Sequence, residues 1–108
     1  MKILITSSGK SLDSPVSFIF DRALYFVILN REVRFITNLA VRGRESSRET
    51  LEIVREENVD VVITGGIKPE DFHFLLKHGI TAYQAVPGSV KHNLELYRQG
   101  KLKPLKPV

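Results

Sequence analysis

Apolar residues along this chain alternate between two periods, short runs typical of strands and spaced stripes typical of helices. Lys2–Thr6 reads K-I-L-I-T, a short β-branched run ended by Ser7-Ser8-Gly9, which predicts a buried strand followed by a loop. Ser11–Ser17 mixes Ser, Asp and Pro and reads as irregular. Two strand-like runs, Leu24–Leu29 and Val33–Thr37, flank Asn30-Arg31-Glu32 and predict a hairpin. The first run is apolar on both faces and belongs further inside the sheet. The second alternates, with Val33, Phe35 and Thr37 on one face and Arg34 and Ile36 on the other.

Ser46-Ser47-Arg48-Glu49 fits a capping box, and the helix it opens turns Leu51 and Val54 inward with Ile53 beside them. Arg48 and Glu52 are spaced to pair on its outer face, and Asn58 is a stop. Val59–Thr64 is the clearest strand, broken by Gly65-Gly66. Pro69 then suits the first position of a helix whose Phe72, Leu75 and Leu76 form an inward stripe and which ends at Gly79. Ile80–Ala85 is a further strand, closed by Pro87-Gly88. Ser89 caps a third helix with Val90, Leu94 and Tyr97 inward, ended by Gly100. The order β, hairpin, α, β, α, β, α implies an α/β fold: a three-layer α/β/α sandwich around a mixed sheet of five strands. Residues 1–100 form one domain. Residues 101–108, with three lysines and two prolines, read as an extended basic tail, mobile and dispensable for folding.

Composition narrows the chemistry. With no cysteine there is no disulfide, thiolate nucleophile or cysteine-held cluster. No apolar run approaches the ~20 residues that span a bilayer, and the chain is expected to be cytoplasmic, without a membrane partner. The net charge of +4 suits a small anion and does not by itself call for nucleic acid. His73 and His78 are five apart, about 140° around a helix, and cannot converge on one ion from one face. His92 belongs to another helix. No metal site is expected, and no base stands beside a nucleophile, so the chain reads as non-catalytic.

Three loops leave the carboxyl ends of the predicted parallel strands: Ser7-Ser8-Gly9, Thr64-Gly65-Gly66 and Val86-Pro87-Gly88-Ser89. The crevice outside such ends is the usual ligand site of an open α/β sheet. Two of the loops enter helices, whose free N–H groups would favour an anion.

With K-I-L-I-T-S-S-G-K-S-L-D-S at the start, Pro15–Phe26 next, then V-D-V-V-I-T-G-G-I and G-S-V-K-H-N-L-E-L-Y-R-Q-G-K-L, the chain resembles the dinitrogenase iron–molybdenum cofactor biosynthesis family, which includes nitrogenase accessory factors. The resemblance runs from Met1 to Leu102. It implies a ribonuclease-H-like motif with sheet order 3-2-1-4-5. It also implies non-catalytic binding or carriage of an anionic iron–sulfur or iron–molybdenum cluster or its precursor. The family's P-V-S, F, R-A and Y-F fall on Pro15, Val16, Ser17, Phe20, Arg22, Ala23, Tyr25 and Phe26. Ligand contacts are thus expected from Ser7, Ser8, Gly9, Ser17, Phe20, Asp21, Arg22, Gly65, Gly66, Gly88 and Ser89. Where the family has His before the Phe and Gly after it, this chain has Ile19 and Asp21. The soft nitrogen donor is gone and a carboxylate is added, so cluster binding is expected to be weak or absent. The alternative is a protein-interaction domain that kept the fold and lost the ligand. A nuclease is disfavoured, because the first strand carries no carboxylate for a catalytic metal.

Overall fold

The structure is a computed structural model that describes residues 1–38 and 48–107. Ser46 and Ser47 of the expected capping box lie outside the described residues, as do the side chains of Arg48 and Glu49, and with them the expected Arg48–Glu52 pair. Five strands are described: β1 (Ile3–Ser7), β2 (Tyr25–Leu29), β3 (Val33–Thr37), β4 (Val61–Thr64) and β5 (Thr81–Gln84). Three helices accompany them: α1 (Arg48–Glu56), α2 (Pro69–Lys77) and α3 (Val90–Arg98). A 3-10 turn spans Phe20–Arg22.

The sheet order is β3-β2-β1-β4-β5. β2 runs antiparallel to both of its neighbours, whereas β1, β4 and β5 are parallel. β1 is central and every one of its residues is buried. Side chains alternate between the two faces, as the period of a strand requires. Leu4, Phe26, Ile28 and Val62 meet Val54 of α1 and Leu75 of α2 on one face. Ile3, Ile5, Val27 and Ile63 meet Val90 and Leu94 of α3 on the other. Each fully buried side chain of this kind contributes about 1.5–3 kcal/mol, so the two cores are what hold the layers together.

Local signals set the element ends. The hairpin closes over Asn30–Glu32, with Leu29 opposite Val33. Asn58 takes a positive φ of 54° after α1, Pro69 opens α2, and the Ser89 hydroxyl accepts the His92 N–H at 3.0 Å to cap α3. At the amino ends of the parallel strands, the Asp60 carboxylate accepts the Lys2 N–H at 2.8 Å. Nearby, Arg34 pairs with Glu57. The guanidinium holds the Glu57 carboxyl below its ordinary value through their hydrogen bond, against the opposing effect of burial.

Two expectations need correction. Leu76 does not face the core: it is 56% exposed. α2 is rotated so that Leu75 and Asp71 are buried and Phe72 and Phe74 are half-buried. Apolar residues at 72, 74, 75 and 76 surround much of the helix, and the sheet selects the arc that carries Leu75. The mobile tail is the second correction. The Gln84 N–H donates to the Lys103 carbonyl at 2.7 Å and the Leu105 N–H to the Ala82 carbonyl at 3.0 Å. The segment thereby straps the open edge of β5. Leu102 and Leu105 are 8% and 3% exposed, one in each core. Truncation after Gly100 is therefore expected to cost about 3–5 kcal/mol of stability, from two buried leucines and the uncovered strand edge. Urea unfolding of the full and truncated chains measures this. An unchanged midpoint would show that the strap contributes nothing.

Candidate functional site

β4 ends in Thr64, Thr6 is the last residue but one of β1, and the parallel register that pairs Ile5 with Ile63 carries the two threonines alongside each other. The Thr6 hydroxyl bonds the Ser17 carbonyl at 2.8 Å and the Thr64 hydroxyl at 2.9 Å. A hydroxyl has one proton, so Thr6 donates to Ser17 and accepts from Thr64. Both threonines are fully buried. The polar pair thus anchors the passing segment at the carboxyl end of the sheet.

That segment is pinned along its length. The Ser8 N–H donates to the Pro15 carbonyl at 3.0 Å, Val16 to Gly88 at 2.9 Å, Ser17 to Thr6 at 2.9 Å and Phe20 to Gly66 at 2.9 Å. Phe20 is fully buried against Phe26, with ring centroids 6.2 Å apart. It acts as the loop's anchor in the core. Phe18 and Ile19, just before it, are each 52% exposed.

The loops that carry the residues expected at a ligand site meet at this edge, but Phe20 points into the core instead of toward a ligand, and much of the space between the loops is filled by the chain itself. A Cβ placed on Gly65 would stand 2.6 Å from the Phe18 Cα, and one on Gly66 2.9 Å from the Phe18 carbonyl oxygen. These glycines admit the backbone of residues 18–20. Gly9 is similarly close to the Ser14 hydroxyl. Ser7 is buried and bonds to the backbone of Gly9, while the exposed Ser8 hydroxyl donates to the Pro15 carbonyl. The first turn of α3 is also occupied. Val90 N–H donates to the Ser14 carbonyl at 2.9 Å, Lys91 N–H to Leu12 at 2.8 Å, and His92 N–H to the Ser89 hydroxyl. The expected free amides at that helix end are spent internally.

Charge is partly balanced as well. Asp21 pairs with Lys68 at 3.1 Å. Their hydrogen bond raises the Lys68 ammonium above its ordinary value. Burial opposes the rise, and the charges of Asp21, Asp71 and Glu70 add to it. Arg22 is exposed, and the Lys10 ammonium lies 5.5 Å from the Tyr25 ring centroid.

Several residues at the edge went unnoticed in the sequence. The Gln84 side-chain amide donates to the Gly65 carbonyl at 2.6 Å, and Asn93 bonds the backbone of Val86 and Ser89. The His92 ring sits over Gly88, its Cδ2 3.2 Å from where a Cβ would be. Gly88 has φ 139°, which favours glycine there. Gln84 and Asn93 left no sign in the sequence, whereas Thr6 and Thr64 share an I-T dipeptide near the end of each strand. Among the described residues, no group of three or more His, Asp or Glu is placed to hold a metal ion. The edge offers hydroxyls, one exposed imidazole and a carboxylate already paired with lysine. This donor set does not fit coordination of an iron cluster.

Residues 1–100 match the model of a known family, described as dinitrogenase iron-molybdenum cofactor. The chain belongs to that family. Solved structures agree in fold. A NifB-like protein from Thermotoga is 24% identical with a TM-score of 0.84, covering 95% of this chain and 91% of its own. The apo form of the orange protein from Desulfovibrio gigas is 22% identical with a TM-score of 0.86, at the same coverage. A dinitrogenase-like protein from Methanocaldococcus jannaschii is 25% identical with a TM-score of 0.73, covering 100% and 97%. No curated protein matches. No helix among the described residues is long and apolar enough to cross a membrane.

Gly65→Ala provides a direct check on the close approach of Phe18. The added methyl meets backbone, so the 18–20 segment has to shift, at a cost of about 1–3 kcal/mol. Amide shifts of Phe18–Phe20 are expected to move more than those of α3. A neutral substitution with unmoved shifts would contradict the packing described.

Proposed function

We propose that this family member is a non-catalytic accessory protein of metal-cluster handling, working in the cytoplasm, and that it meets an iron–sulfur or iron–molybdenum cluster, or its precursor, as cargo at the carboxyl edge. The observation that carries the proposal is the position of Ile19. Its side chain is half-exposed at the loop tip and is not part of the core. The family's His position is therefore presented outward here, but by a side chain that cannot coordinate. Contact with an anionic cargo would rest on Arg22 and Lys10, with Lys68 held back by Asp21. Exposed charges of this kind contribute little each, so affinity is expected to be weak.

A second reading has its own support. Phe18 and Ile19 form an exposed apolar pair on a pinned loop, and the α3 amides are spent. Both suit a protein-interaction domain that kept the fold and lost the ligand.

Ile19→His together with Asp21→Gly separates the two. The double change supplies an imidazole at an exposed position and frees Lys68 from its ion pair. Anaerobic titration with cluster, followed by visible absorption and amide shifts, is expected to show affinity rising by roughly tenfold or more. Tight binding by the unmodified chain would overturn the weak-carrier reading. No gain in a stably folded double variant would overturn it in favour of the interaction domain.

A further inference from the structure

The chain's positive charge is not spread over its surface. Residues 98–108 carry Arg98, Lys101, Lys103 and Lys106 and no acidic residue, while the preceding residues hold twelve cations and twelve anions. The whole net charge of +4 therefore resides in the last eleven residues. All four side chains are exposed, and none forms an ion pair among the described residues.

The strap holds these cations in place. Leu102 and Leu105 point into the cores, and Lys103 and Leu105 are pinned by backbone hydrogen bonds to β5. Lys101 is fixed too, its N–H donating to the Leu96 carbonyl at 2.9 Å. The lysines between and beside the buried leucines are left facing outward, over about 17 Å of extended chain from Lys101 to Lys106. Fixing the backbone in advance lowers the ordering cost of engaging a partner. The row begins next to the carboxyl-edge loops, because Gln84, opposite Lys103, reaches Gly65 with its side chain.

We infer that the strapped C-terminal segment is a docking rail for an acidic protein face. The chemistry favours protein over nucleic acid. Single strands are held by stacking on exposed aromatic rings as well as by charge. Here Tyr83 and Tyr97 are half-buried and packed edge-to-face on each other at 5.3 Å, and among residues 98–107 no large apolar side chain is exposed. A span of about 17 Å matches a patch of a few carboxylates on a folded surface. Pro104 and Pro107 lack the N–H groups that strand addition would need, so recognition falls to the lysine side chains. The inference goes beyond the cargo reading and stands whether or not the edge takes a cluster.

Lysines and prolines on a sheet edge also guard against edge-to-edge aggregation, and the test distinguishes the two roles. The full-length labelled chain is titrated with an octaglutamate peptide and, separately, with a thymidine dodecanucleotide, following amide shifts. The triple variant Lys101→Gln, Lys103→Gln, Lys106→Gln is compared with a control triple, Arg31→Gln, Arg55→Gln, Lys77→Gln, which removes the same charge elsewhere. Unchanged Leu102 and Leu105 amide shifts in the free rail variant verify that the strap stays in place. If they move, titrating the unmodified chain at about 0.15 M rather than about 0.02 M salt, with the shifts mapped, decides instead. The expected result is octaglutamate shifts confined to residues 98–106 and β5 and weakened by salt. Affinity should fall roughly tenfold in the rail variant and by less than about threefold in the control. Equal losses in both variants, shifts scattered over the surface, tighter binding of the oligonucleotide, or no binding by the unmodified chain would each overturn the inference, the last leaving edge protection only.

Discussion

The buried Thr6–Thr64 hydroxyl pair is the contact on which the carboxyl edge of the sheet depends. A parallel sheet leaves the carboxyl ends of its strands open, and in many α/β folds a ligand fills that opening. In this chain the two strands carry threonines at or next to their carboxyl ends, and Thr6 grips the Ser17 carbonyl. An unsatisfied buried hydroxyl costs about 1–3 kcal/mol, so the threonines and the passing backbone hold one another in place. From that grip residues 12–20 run across the edge, donating to Gly66 and Gly88 and accepting from Val90 and Lys91. The glycines that look like a cradle for a ligand are a cradle for the chain.

The chemistry that remains follows from that closure. With the α3 amides spent and Asp21 tied to Lys68, the edge presents a pinned tip, Phe18 and Ile19, beside a few exposed cations. The chain belongs to the dinitrogenase iron-molybdenum cofactor family by a match over residues 1–100. The tip presents Ile19, an apolar side chain, to solvent. The fold is shared, and a shared fold does not by itself fix what is bound.

Much of the architecture was legible because burial repeats along the sequence. Lys2–Thr6, Val59–Thr64 and the runs flanking Asn30–Glu32 gave the strands, and Pro69, Asn58 and Ser89 marked helix ends. The sheet order was implied by the family resemblance, since periodicity does not say which strands are neighbours. The rotation of α2 was not legible, because its apolar residues admit more than one buried arc. Nor was the strap: Leu102 and Leu105 are too few to show a period among lysines and prolines. At the site, Ser11–Ser17 read as irregular, as it is, but its hydrogen bonds go to residues distant in sequence. Which amides at the edge are free is a property of the folded chain, beyond what local composition carries.

Native-state hydrogen exchange at the α3 amides tests the closed edge most directly. If the chain's own carbonyls occupy the first turn, Val90 and Lys91 N–H groups exchange slowly, at rates close to those of Val16 and Phe20 and far below those of exposed loops. Added inorganic phosphate then leaves those rates and shifts unchanged. Val90 and Lys91 amides that exchange as freely as solvent-exposed ones, or that become protected only when phosphate is added, would show an open anion crevice and contradict the account.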